Sequence, residues 1–187
     1  MIVLGNSGQD VTAGVYNGDT SQTKSGHKLY AGAINRQLTW GLATHLMYEG
    51  IPYILLNPEQ ADISETVKTA RLNAYNLDQD SLLINFEAKT SNKAGICIYG
   101  NVRAYSIDYG DIIYNNLKAE LPKITVYRPS YQCEDEFSML ESFEGHAFNI
   151  TIPVNKYPDL IYSPRFIEAV SHSLTQSLVS CLTLDLD

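Results

Sequence analysis

The chain has 187 residues, 44% of them hydrophobic, and a formal net charge of −8. That is enough apolar material for one domain with a sizeable core. The acidity argues against a nucleic-acid binder, which needs a basic face for phosphates, and against attachment to anionic lipid through a basic patch. No apolar run approaches the roughly 18 residues of a membrane span, and no charged-then-apolar leader opens the chain. The three cysteines, Cys97, Cys133 and Cys181, make no CxxC pair and no zinc-ribbon spacing. They read as reduced thiols, with Cys97 in a strand and Cys181 on a core-facing helix.

In chain order, residues 1–5 give the first strand signal, rich in Ile, Val and Leu. Residues 6–30 are rich in Gly, Ser, Asn and Thr and read as a loop region. The segment 33–50 reads as a helix with Ile34, Leu38, Leu42, Leu46 and Met47 on one face, and Gly50 stands where a glycine ends a helix. A strand at 51–56 follows. Asp62, with Glu65 three residues on, has the pattern of a capping box opening a second helix that runs to about 76. Strands are then expected at 81–86 and 95–100, a helix at 106–119 and a strand at 123–127. The stretch 128–143 is irregular and holds an acidic run at 134–136. A strand at 147–152 precedes a last helix at 163–182. There Pro164 suits the first turn, and Phe166, Ile167, Val170, Leu174, Leu178 and Leu182 form the buried stripe.

Strands alternating with amphipathic helices imply an α/β domain whose mainly parallel twisted sheet is flanked by helices. A single domain over 1–187 is expected. In such a fold, side chains at the carboxyl ends of strands face the ligand. The strand beginning at Leu82 would therefore present Phe86, Glu87 and Lys89.

The succession of motifs resembles the zinc-dependent N-acetylmuramoyl-L-alanine amidases. The resemblance rests on 2-IVLGNSGQDVTAG-14, 29-LYAGAINR-36, 62-DISETVKTARLNAY-75, 81-SLLINFEAKTSNKAGICIY-99, 106-SIDYGDIIYNNL-117 and 145-GHAFNITIPVN-155, with the 163–182 helix closing the order. It implies the amidase-like fold over nearly the whole chain. It also implies a zinc ion held by two histidines and a glutamate, with a second glutamate as general base. Carried over by position, the first histidine falls on Gly8, the ligand glutamate on Ala31, the second histidine on Glu87 and the catalytic glutamate on Thr151. Gly8 and Ala31 have no donor atom, and one carboxylate at Glu87 does not hold zinc against water. Lys89 adds a positive charge beside it, which repels a metal ion. The expectation is a fold kept without its zinc. Gly14, Asn35, Arg71, Asn73 and Gly95 remain as architectural matches.

Other ligand sets stay open. His27 lies four residues before Ala31, and a replacement site from His27, Glu87 and Asp10 is conceivable. His45, His146 and His172 have no second histidine at chelating spacing. Ser7 in an Asn-Ser-Gly turn lacks the frame of a nucleophile elbow, and Cys97 has no histidine near it in sequence. Thirteen tyrosines against one tryptophan suit either an interface or the edges of a core.

Three functions follow. The first is a non-catalytic structural or binding protein on the amidase fold, such as a bacteriophage tail or neck component docking virion neighbours or copies of itself. The second is an active peptidoglycan amidase with a rebuilt metal site. The third is a pseudo-enzyme that binds cell-wall fragments, with Arg71, Lys89 and His27 as binding candidates. A virion or host-cytoplasm location accompanies the first.

Overall fold

The computed structural model describes residues 1–7, 11–12, 15–16, 18–57, 63–75, 77–106, 108–131 and 138–184. Gly8, Asp10, Gly14, Asp62, Cys133 and the acidic run 134–136 lie outside the described residues. The strands are β1 (Ile2–Asn6), β2 (Val11–Thr12), β3 (Val15–Tyr16), β4 (Thr20–Gln22), β5 (Lys28–Tyr30), β6 (Tyr53–Leu55), β7 (Leu82–Lys89), β8 (Gly95–Gly100), β9 (Thr125–Val126) and β10 (His146–Pro153). The helices are α1 (Ala31–Tyr48), α2 (Glu65–Ala74), α3 (Tyr109–Glu120), α4 (Ser138–Ser142), α5 (Pro158–Ile161) and α6 (Pro164–Leu184). A 3-10 turn at Val102–Ser106 leads into α3.

Six strands make the central sheet in the order β6-β1-β7-β10-β8-β9. All its pairings are parallel except β8 with β10. The period of two along β7 decides which face each side chain takes. Leu82, Ile84, Phe86 and Ala88 enter the larger apolar cluster, with Leu38 and Leu42 of α1, Leu117 of α3 and Leu174 of α6. Leu83 enters a smaller cluster on the other face, with Leu72 of α2 and Leu140 of α4. Removing each such side chain from water contributes about 1.5–3 kcal/mol, so the larger layer dominates stability.

The helix ends follow local chemistry. At the end of α1 the Gly50 amide donates to Met47 O (3.1 Å) and the Ile51 amide to Leu46 O (2.9 Å). Gly50 has φ of 70°. This is the paired-bond cap that glycine makes cheap. Helix α2 starts later than the capping-box pattern predicts. Ser64 is the cap residue, and its hydroxyl accepts from the Val67 amide at 3.4 Å. Met47 is 59% exposed, against the expectation of a buried face. Ile34, Leu38, Leu42 and Leu46 already fill the stripe, and Met47 stands about 100° around the helix from Leu46.

Two expected irregular regions hold structure. The 6–30 region contains the β2–β3 pair and the β4–β5 hairpin, whose turn uses Gly26 at φ 89°. Within 128–143, α4 packs Met139 and Leu140 into the smaller cluster.

Helices α1 and α6 meet closely at Gly41. A Cβ there would lie 2.5 Å from Ser171 Oγ and 3.1 Å from Ile167 Cγ2. Ser171 Oγ is buried without a hydrogen-bond partner. Gly41→Ala is therefore expected to destabilise by about 1–2 kcal/mol, despite alanine's better helix propensity. Ser171→Ala alone should be neutral or stabilising, because it removes an unsatisfied hydroxyl. Thermal melts of the double variant should recover most of the loss.

Candidate functional site

The carboxyl ends of β1, β7 and β10 lie side by side. Their register places Thr151 opposite Glu87 and Asn149 opposite Asn85. On the face shared with the smaller cluster, apolar residues give way to polar ones along both strands. Asn85, Glu87 and Lys89 follow Leu83, and Asn149 and Thr151 follow Ala147. Phe86 points the other way and is fully buried in the larger cluster. The sequence reading that placed it beside Glu87 at the ligand face is corrected by this alternation.

These polar side chains form one connected network. Asn85 Nδ2 donates to Ser7 Oγ (3.0 Å) and to Asn149 Oδ1 (2.6 Å). Asn149 Nδ2 donates to Thr151 Oγ1 (3.0 Å) and to Glu87 Oε2 (3.4 Å). The Thr151 hydroxyl donates to Glu87 Oε2 at 3.1 Å. Lys89 Nζ lies 3.0 Å from the same oxygen. One carboxylate oxygen thus receives an ammonium, a hydroxyl and an amide. Asn85, Asn149 and Thr151 are buried, while the Glu87 and Lys89 side chains are 16% and 31% exposed. Asn85 Oδ1 has no hydrogen-bond partner and packs over Gly5, where a Cβ would stand 2.9 Å from it.

Ala31 opens α1 and is buried in the larger apolar cluster, its amide donating to Asp19 O at 2.9 Å. One turn on, Asn35 joins the helix to the strand ends. Its Oδ1 accepts from the Ala88 amide at 2.5 Å, and its Nδ2 donates to Ser7 O. Thr39 continues the link, donating to Asn35 O and accepting from Asn6 Nδ2. Beyond β10, Tyr99 of β8 pairs in register with Asn149 and accepts from Lys93 Nζ at 2.7 Å. Burial raises the Tyr99 phenol above its ordinary pKa, and the Lys93 contact opposes that shift.

The remaining candidates lie apart from this network. The exposed His27 ring stacks on Tyr162 at 4.8 Å and 4°. Arg71 donates to Leu56 O at 2.9 Å, tying α2 to the segment after β6. His146 Nδ1 lies 3.2 Å from Arg103 O. His45 pairs with Glu168 at 3.3 Å and His172 with Glu120 at 3.7 Å, among the helices. Cys97 Sγ contacts Gly95 O.

A zinc ion does not fit these donors. Among the described residues, no three His, Cys, Asp or Glu side chains gather as a metal site requires. Ala31 offers no lone pair. The Glu87 oxygen that faces its neighbours is already occupied by Lys89, whose charge opposes a second cation. What the arrangement offers is a hydrogen-bonding surface of amides, a hydroxyl and a paired charge. Sequence reading missed Asn85 and Asn149. The alternation of polar with apolar residues in 82–89 and 146–153 is the signal that marks them.

No family model matches the chain, and no curated protein matches it. Solved structures do. Cwp6 from Clostridium difficile superposes with a TM-score of 0.71 at 15% identity, over 96% of this chain and 29% of that one. The catalytic domain of CwlV, an N-acetylmuramoyl-L-alanine amidase from Bacillus (Paenibacillus) polymyxa var. colistinus, gives 0.75 at 9% identity, over 97% and 98% of the two chains. The CwlD amidase from Clostridioides difficile, in complex with the GerS lipoprotein, gives 0.75 at 12%, over 98% of each. Identities this low speak for the backbone alone, and on that ground the chain has the α/β fold of the N-acetylmuramoyl-L-alanine amidases.

Proposed function

We propose that the chain is a non-catalytic protein on the amidase fold, acting as a binding or structural component. The observation that carries this reading is the state of Glu87. It stands where the resemblance puts a metal ligand, yet its carboxylate is held by Lys89 at 3.0 Å and Thr151 at 3.1 Å. Ala31 and Thr151 stand where the resemblance puts two glutamates, and neither supplies a carboxylate. The amidase fold itself admits protein partners, as the complex of CwlD with a lipoprotein illustrates. The same proposal extends to a phage virion, where such a protein would dock its neighbours in a tail or neck.

Elemental analysis of the natively purified protein, run beside hydrolysis of purified cell wall, tests it. The expected result is below about a tenth of an equivalent of zinc and no release of stem peptide. A full equivalent of zinc, lost on Glu87→Ala, together with amide hydrolysis, would sink the proposal in favour of a rebuilt site. Saturating muropeptides should give no shift in melting temperature. A clear upward shift, lost on Lys89→Ala, would move the reading to a binder of cell-wall fragments.

A further inference from the structure

The outward face of α1 differs from that of the other long helices. Its exposed residues are Gln37, Trp40, Thr44, Met47 and Tyr48, and none is charged. Helix α3, by contrast, exposes Asp111, Lys118 and Glu120. Trp40 is 49% exposed, Met47 59% and Tyr48 81%. Spacings of three and four put 37, 40, 44 and 47–48 on a single stripe. The chain has a net charge of −8, so an uncharged stripe with three large apolar side chains is conspicuous.

The stripe has a hollow and a ridge. The hollow is a groove of about 460 Å³ beside Trp40, lined also by Gly41, Thr44, Tyr162, Pro164 and Ile167. Gly41 brings no side chain to it. The ridge is Met47 and Tyr48, about 10 Å further along the axis, two turns on. Thr44 lies between them. Its hydroxyl already donates to Trp40 O at 2.8 Å, so covering it leaves that donor satisfied.

A two-fold axis crossing α1 at Thr44 sets the turn after Thr44 against the turn before it in the other copy. Around the helix Tyr48 and Gly41 lie on one side of Thr44, and Met47 and Trp40 on the other, so Tyr48 meets Gly41 and Met47 meets Trp40. Each ridge enters the opposite hollow, as an isologous contact demands. The exposed parts of Trp40, Met47, Tyr48 and Tyr162 supply on the order of 500 Å². A standard interface takes roughly 800 Å² per partner, which Gln37, Thr44, Pro164 and Ile167 help to complete. The His45–Glu168 pair, at 3.3 Å, supplies a polar rim.

We propose that this face binds a second copy of the chain, α1 packed antiparallel on α1 with Thr44 at the two-fold axis. Sedimentation velocity on the full chain from about 1 to 100 µM is the test. A concentration-dependent dimer is expected. Met47→Asp and Tyr48→Asp should each weaken it on the order of 100-fold, while melting temperature measured at concentrations where wild type is monomeric stays unchanged because both side chains are exposed in the monomer. Val102→Asp, at an exposed position away from α1, should leave it intact. In a Cys133→Ser background, Thr44→Cys should cross-link the dimer on mild oxidation, since the axis brings that residue onto itself. A monomer at 100 µM overturns the proposal. So does a dimer that survives both aspartates, or one that Thr44→Cys fails to cross-link.

Discussion

Asn101→Ala is expected to remove about 3–4 kcal/mol of unfolding free energy, a large share of the 5–15 kcal/mol a domain commonly has. The residue is 2% exposed and serves five backbone groups. Its Nδ2 donates to Leu140 O (3.2 Å), Phe143 O (3.4 Å) and Gly145 O (2.9 Å). Its Oδ1 accepts from the amides of Ala104 (3.0 Å) and Ala147 (3.1 Å). Alanine removes all five bonds. The Ala104 amide keeps Asn101 O at 3.0 Å and Leu140 O keeps the Phe143 amide at 3.3 Å, while Phe143 O, Gly145 O and the Ala147 amide lose their side-chain partner. One side chain thus fixes the exit of β8, the end of α4 and the entry of β10. Urea denaturation should show a lower midpoint with an unchanged slope. Asn101→Asp sharpens the test. It keeps the acceptor but turns a second oxygen toward three carbonyls, which disfavours its ionised form and raises its folded pKa. Its loss of stability should therefore be largest above that pKa and shrink as pH falls through it. A variant as stable as wild type would show that solvent replaces the bonds.

Asn35→Ala is expected to cost about 2–3 kcal/mol and to loosen the carboxyl end of β7. The reason lies in strand lengths. β1 stops at Asn6, paired with Phe86, and the Ser7 amide still reaches Phe86 O at 2.7 Å. β7 runs on to Lys89 along β10. The Ala88 amide faces the side that β1 has vacated, and Asn35 Oδ1 meets it there at 2.5 Å. Hydrogen exchange at the Ala88 amide reads this directly, and protection should fall at least about tenfold. Asn35→Asp retains the acceptor and should keep that protection while losing the bond to Ser7 O. Unchanged exchange in the alanine variant would mean that Asn35 does not hold the strand end.

Much of this architecture was readable in the sequence because its signals are local. The unbroken apolar run Leu82, Leu83, Ile84 belongs to a strand covered on both faces, and the i+4 repeat of α1 belongs to a helix. Short elements carry too few residues for a period. That hides α4 and α5, of five and four residues, and the β4–β5 hairpin, whose turn at Gly26 falls inside a polar run. The site was half legible. Glu87, Lys89 and Thr151 could be singled out by position, but the bond between Glu87 and Thr151 joins residues 64 apart, and only strand register creates it. Asn149 escaped for the same reason. Phe86 was misassigned because adjacency in sequence was read as adjacency in space, whereas a pleated strand sends neighbours to opposite faces.

The position of β10 in the sheet has a kinetic consequence. It lies between β7 and β8, so residues 146–153 must insert beside residues 82–89 before the centre of the sheet exists. Closing so long a loop is slow, because its entropy is lost before the contacts it permits are gained. During synthesis from the amino terminus, β1, β6 and β7 emerge first and leave one edge of β7 open until the last quarter of the chain arrives. The antiparallel partner β8 is made before β10 yet can join the sheet only through it. Assembly is thereby gated near the carboxyl terminus. A chain cut short of residue 146 would hold two strand groups with nothing to join them, and its exposed edges would invite aggregation.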